Sequence, residues 1–172
     1  ILHWLLACLL VFQLCIGIFM VDIPKGPDTP RALWFNFHKS LGILLSLLIV
    51  LRLVWRLKNP PPNLPASIIG WKKTISHVNH FFLYVCMIVM PVSGIIGSIF
   101  SKYPIKFFGT PLPRLADPNE TIKSLTSDLH QYFAVAFITL IVIHILAALK
   151  HLFIDCDGVF ERMMIKQKAK TD

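Results

Sequence analysis

The chain has four cysteines, Cys8, Cys15, Cys86 and Cys156, and no C-x-x-C pair among them. That lack removes the spacing used by iron–sulfur and structural zinc sites. Cys8 and Cys15 share a helix face but stand ~10 Å apart along it, too far for a disulfide. All four read as small apolar packing residues. Internal repeats and low-complexity segments are absent. Acidic residues are scarce, with nine Asp and Glu against seventeen Lys and Arg for a formal charge of +8. No RNA- or DNA-binding signature accompanies that charge, so no nucleic-acid partner is expected. The basic residues gather near the ends of apolar runs, where they speak of membrane topology.

What the chain has in quantity is apolar residues, 55% of the total with a mean hydropathy of +0.67. A soluble domain usually holds about 45–50%, and here the excess falls in long blocks. The pattern predicts an all-α membrane protein, one domain over residues 1–172, with four transmembrane spans at about 2–21, 37–53, 75–100 and 128–153. Pro24, Gly26, Pro27 and Pro30 mark the first connection (22–36), and Asn59-Pro60-Pro61-Pro62 closes the second span. Pro91 inside the third span predicts a kink. A longer loop, 101–127, holds Pro104, Pro111, Pro113 and Pro118. The opening run has no basic leader and no small-residue cleavage site, so it reads as a retained span, with a few native residues expected upstream of Ile1.

Lys and Arg set the orientation. The second connection carries Arg52, Arg56, Lys58, Lys72 and Lys73, and the tail carries Lys150, Arg162, Lys166, Lys168 and Lys170. Both are therefore expected on the cytoplasmic side, with both termini. The first and third connections are expected outside. That orientation gives every histidine a depth. His38 and His130 lie at the outer level; His3, His77, His80, His144 and His151 lie at the inner level.

His130 and His144 share the fourth span, fourteen residues apart. On a helix that spacing spans ~21 Å and falls about 40° short of four turns. The two imidazoles therefore lie on nearly one face at opposite depths. Ionisable side chains inside an apolar span are costly and suggest function. Two stacked cofactors are implied, each needing a second ligand from another helix. At the outer level the pairing of His38 with His130 is forced. At the inner level His144 has a choice of His3, His77, His80 or His151. Six-coordinate b-type haem in a four-helix bundle fits such pairs. Zinc fits poorly, because no third or fourth ligand joins either pair. The plain alternative for any single histidine is an interfacial anchor.

The remaining polar residues near the spans have two readings each. Lys39 can neutralise a haem propionate or draw in an anion, or it can snorkel. Arg52 and Arg56 can pair propionates, or simply anchor the span. His77 and His80, one turn apart, can donate to propionates or to a quinone, and His151 can pass protons. Trp4, Trp34, Trp55 and Trp71 fall near span ends as an aromatic belt.

An ordered set of motifs resembles the bacterial cytochromes b561. It comprises His3-Trp4, His38-x-Ser40-x-Gly42, and Arg52-Leu53-x-x-Arg56-Leu57-Lys58-x-Pro60-x-Pro62. Then follow His77-x-x-His80-x-x-x-Tyr84, Pro91-x-x-Gly94, Phe108-Gly109, His130 with His144, and Asp157 with Arg162-Met163-Met164. The resemblance implies a four-helix bundle with two b haems, the outer held by His38 and His130 and the inner by His3 and His144. It further implies an inner-membrane protein that oxidises superoxide to dioxygen and reduces ubiquinone. Lys39, His77, His80 and His151 would then serve the chemistry, and Arg52 and Arg56 the haem. With Asp128 at the start of the fourth span counted, the third connection nets only +1, and the first nets zero, so steering of superoxide would rest on local placement of Lys39, Lys102 or Lys106. The rival is a non-enzymatic electron-transfer subunit linking quinone to a periplasmic or dehydrogenase partner, which would dock on a patch such as Ile105, Phe107 and Phe108. A structural or transport bundle without haem predicts no visible absorption.

Overall fold

Four apolar helices long enough to cross a membrane make up most of the structure, a computed structural model that describes residues 2–60 and 70–161. They are α1 (Leu2–Asp22), α2 (Arg31–Lys58), α3 (Trp71–Ile99) and α4 (Glu120–Lys150). Between α3 and α4 lies a short antiparallel hairpin, β1 (Lys106–Phe107) and β2 (Thr110–Pro111). A single π-helical turn, His151–Asp155, extends α4. The helices pack mainly as two pairs, α1 with α2 and α3 with α4, joined through α2 and α3.

The core is narrow. Leu6, Ile16, Leu41, Leu45, Ile49, Cys86, Met87 and Phe137 form its buried cluster. Most other large apolar side chains, among them Phe12, Phe19, Leu47, Phe81, Val135 and Leu146, point outward. Such a surface is tolerable only where the solvent is itself apolar. Of the cysteines only Cys86 packs in the core, whereas Cys8, Cys15 and Cys156 are exposed.

The helices outrun the apolar segments that reveal them. Polar turns such as Glu120–Lys123 and Lys72–Thr74 carry no hydropathy signal, yet their backbone continues the same hydrogen-bond ladder. α2 accordingly starts at Arg31, where a loop to residue 36 was expected, and runs to Lys58. At 29 residues α3 is ~43 Å long, against ~30 Å of hydrocarbon. Residues 101–127 hold the hairpin and the first turns of α4 in place of an extended loop. Pro61 and Pro62 of the second connection, and Arg162-Met163-Met164 with the tail lysines, lie outside the described residues.

Local chemistry fixes the ends. Arg31 turns its guanidinium back onto the last carbonyls of α1, donating to Val21 O at 2.9 Å, Met20 O at 3.3 Å and Ile23 O. It thereby satisfies acceptors that the helix itself cannot. Asn119 caps α4 by accepting from Ile122 N–H at 3.1 Å. The hairpin turns at Phe108 and Gly109, whose φ values are +46° and +94°. Positive φ at both central residues is the geometry of a tight hairpin turn, and for Phe108 it is strained.

Ser40, fully buried on α2, holds that strained turn. Its hydroxyl accepts from Phe108 N–H at 2.9 Å and lies 2.8 Å from Asn36 O and 3.1 Å from Lys106 O. The Phe108 ring also meets Phe37 edge-on at 6.1 Å. Replacing Ser40 by Ala removes the clamp and leaves a part-buried amide unpaired, at a cost of ~1–3 kcal/mol. The expected result is amide exchange at Phe108 faster by roughly fivefold or more, with the four helices unchanged. Unchanged exchange there would show that the hairpin holds itself.

Candidate haem sites and the chain's relatives

The bundle brings histidines together at two depths. At one end His38 of α2 faces His130 of α4 with ring centroids 6.3 Å apart and planes at 85°. At the other end His3 of α1 faces His144 of α4 at 6.5 Å and 71°. Two imidazoles bound to one metal at ~2.0–2.1 Å each put their ring centroids about 6 Å apart. Both pairs meet that spacing. His80 of α3 comes within 5.2 Å of the His144 ring, closer than His3. That separation is short for two ligands placed across one metal, and His80 Nδ1 is already 2.7 Å from Ser76 O. His77 is exposed and joins neither pair.

The surroundings of the first pair suit a ligand set. Nδ1 of His130 lies 2.9 Å from Met90 O and 3.1 Å from Ser93 Oγ, both on α3. Nδ1 of His38 is buried and has no partner among the described residues. Each ring lies over a glycine. A Cβ on Gly94 would stand 3.1 Å from His130 Cε1, and one on Gly17 would stand 3.3 Å from His38 Cε1. Gln13 of α1 donates from Nε2 to His38 O at 2.8 Å, and fits there because Gly42 offers no side chain. The two halves thus share a design, in which a glycine on α1 or α3 lets an imidazole from the next helix lie against its backbone.

The charged candidates divide between the two ends. Lys39, next to His38, is half-buried and has no hydrogen bond or ion pair among the described residues. Arg52 lies within electrostatic reach of His3, His80 and His144. Arg56 lies within electrostatic reach of His80.

His151 sits in the π turn and bonds Asp157 Oδ2 at 2.8 Å, with Asp155 Oδ2 at 3.5 Å. These three side chains could offer a metal three ligand atoms within 4.8 Å of one another. Lys150, however, already places its ammonium on both oxygens of Asp155. The segment after the π turn folds back so that Phe160 meets Trp4, which in turn meets His3 edge-on at 5.4 Å. His151 and its carboxylates therefore belong to the same end of the bundle as the His3–His144 pair.

Sequence reasoning overlooked Ser93, Gly17 and the backbone acceptor at Met90. Gln13 was visible as the one strongly polar residue deep in the first span, and Gly94 as part of a motif. Ser93 gave no signal beyond being a hydroxyl in an apolar run.

The chain matches known proteins over nearly all its length. The profile of the family described as prokaryotic cytochrome b561 covers residues 1–166. Cytochrome b561 homolog 2 of Escherichia coli (strain K12) is 30% identical over 172 residues, covering 97% of this chain and 89% of the relative. Cytochrome b561 homolog 1 of the same organism is 27% identical over 167 residues, with 97% and 94% covered. A probable superoxide oxidase CybB of Yersinia pestis is 28% identical over 174 residues, with 97% and 93% covered. With its four apolar helices, this chain belongs to the prokaryotic cytochrome b561 family of haem b electron-transfer proteins and is a multi-pass membrane protein.

Proposed function

We propose that the protein holds two b haems and moves electrons between the periplasmic face of the bacterial inner membrane and the quinone pool, oxidising superoxide to dioxygen and reducing ubiquinone. The observation that carries this reading is the pair of facing imidazole couples, 6.3 Å and 6.5 Å apart, at opposite ends of one bundle. Haem supplies a one-electron couple whose potential its surroundings set. His38 and His130 hold the outer group, and His3 and His144 the inner one. Arg52 stands beside the inner pair as counter-charge for propionates, with Arg56 farther out.

The overall reaction balances as two superoxide anions and two protons with one quinone, giving two dioxygen molecules and one quinol. The outer end must therefore receive a small anion, and Lys39 offers an uncompensated ammonium next to His38. The inner end must deliver protons. Nδ1 of His151 donates to the Asp157 carboxylate, so Nε2 carries the lone pair; it would take up a proton from the cytoplasmic side and pass it, as the imidazolium, to a quinone oxygen. His80, beside His144, is a second imidazole at that level that could relay a proton through Nε2, and His77 lies one turn earlier on α3.

One observation favours the rival, a carrier that takes electrons from a protein donor. The hairpin exposes Phe107 and Phe108 beside Ser40 and so close to Lys39, as a docking patch would require. A single experiment separates the two. The oxidised, purified protein with ubiquinone receives a pulse of superoxide in a stopped-flow mixer while the haem α-band is followed. The enzyme reading expects rapid reduction, then reoxidation with quinol appearing. Haem bands that stay oxidised would overturn superoxide as donor and leave the carrier.

A further inference from the structure

Ser93 is a hydroxyl in an apolar helix, only 2% exposed. Such a group is costly unless it is hydrogen-bonded. Its one proton goes to the helix backbone, where Val89 O lies at 2.7 Å and Met90 O at 3.0 Å. Its lone pairs remain, and one of them meets His130 Nδ1 at 3.1 Å. Met90 O, at 2.9 Å from the same nitrogen, can only accept. Two acceptors on one ring nitrogen place the proton on Nδ1. Nε2 is thereby left with a free lone pair, the form that ligates a metal. Gly94 completes the arrangement, because a Cβ there would crowd the ring at 3.1 Å and 3.3 Å.

The facing imidazole is held differently. His38 Nδ1 has no partner among the described residues, and Gln13 binds the His38 backbone carbonyl, not the ring. The two members of the pair are therefore unequal. One ring is fixed in tautomer and orientation by α3, and the other is positioned only by its own helix and the slot at Gly17.

We propose that Ser93 is a positioning residue for His130 and, through it, sets the potential of the outer haem. The proposal rests on the reading that a haem lies between His38 and His130. An acceptor on Nδ1–H moves electron density toward Nε2, strengthens its bond to iron and favours the oxidised state. Removing that acceptor raises the midpoint potential of that haem. A change of ~10-fold in the relative affinity for oxidised over reduced iron is ~59 mV for one electron.

The test is a redox titration, with haem counting, of the purified protein and of its Ser93→Ala and Ser93→Thr variants. Ser93→Ala is expected to raise the potential of one haem by up to ~59 mV and leave the other unmoved. The ferric low-spin resonance of the same haem is expected to shift. Ser93→Thr, which keeps the hydroxyl, is expected to return both toward the starting values. Loss of one haem from Ser93→Ala alone, with retention in Ser93→Thr, supports the same role read through affinity. Two haems with unchanged potentials and resonances in Ser93→Ala would overturn it. So would equal shifts in both variants, which would assign the effect to packing. His130→Leu, measured alongside, tests the underlying reading: if it keeps both haems, no haem depends on His130, and it is the site that fails, not the role of Ser93.

Discussion

On the proposed two-haem reading, His130→Leu is expected to leave the protein with half of its haem. The two facing pairs are at opposite ends of α4 and share no ligand, so deleting one imidazole empties one site and spares the other. Leucine is apolar and of similar bulk, and the slot over Gly94 accommodates it. The groups released on α3 do not become orphans. Ser93 keeps its bonds to Val89 O and Met90 O. The substitution therefore leaves no orphaned polar group on α3, and haem content is expected to fall by one group in two. His144→Leu is expected to remove the other half. If electrons pass between the two sites as proposed, either variant interrupts that passage, and superoxide-dependent quinol formation is expected to fall to the uncatalysed rate in both. Haem content by pyridine haemochrome, with chromatographic homogeneity as the folding control, checks the prediction. Retention of the full complement in a homogeneous His130→Leu protein would show that the pairing with His38 is wrong.

The second large effect is expected from a change that touches no ligand. A valine at position 94 would place its Cβ 3.1 Å from His130 Cε1 and 3.3 Å from Nδ1, tighter than ordinary van der Waals contact. The ring cannot retreat without giving up Met90 O and Ser93 Oγ. Overpacking costs ~1–3 kcal/mol, and each hydrogen bond lost adds ~1 kcal/mol. At ~1.4 kcal/mol per factor of ten, haem affinity at that site should drop by at least about tenfold. The matching change, Gly17→Val, meets the His38 ring at 3.3 Å. That ring has no bond at Nδ1 to break, so it can slide, and the loss should be smaller. Haem retained after dilution and dialysis measures both. A larger loss from Gly17→Val would reverse the claimed inequality of the two rings.

The sequence carried the membrane class and the proximity of His38 to His130 because both rest on one-dimensional quantities. Runs of apolar residues give spans, and span direction gives depth. Depth alone leaves only His38 for His130. It does not choose among His3, His77, His80 and His151, which lie at one level. There the choice turns on helix rotation and on which helices adjoin, and these brought both His3 and His80 to His144 at different separations. Ser93 and Gly17 were illegible for a related reason. Small residues in a span usually serve helix packing, and only the position of a neighbouring imidazole gives these two a different task. The hairpin at 105–111 was missed because two-residue strands have no pattern to read, and its turn places a Phe where glycine or asparagine is usual. The π turn at His151 likewise depends on Lys150, Asp155 and Asp157 closing around it.

Arg31 bears on how the protein is inserted. Topogenic signals count lysines and arginines in short connections as free cations. In the folded hairpin of α1 and α2 this arginine is engaged by three carbonyls at the negative end of α1, and its guanidinium also lies 4.8 Å over the Phe35 ring. Its donors are thereby occupied by backbone acceptors. The connection then retains Lys25 against Asp22 and Asp28. Counted by Lys and Arg, that connection then offers Lys25 alone against Arg52, Arg56 and Lys58 at the other end of α2, a bias that would place the latter on the cytoplasmic side.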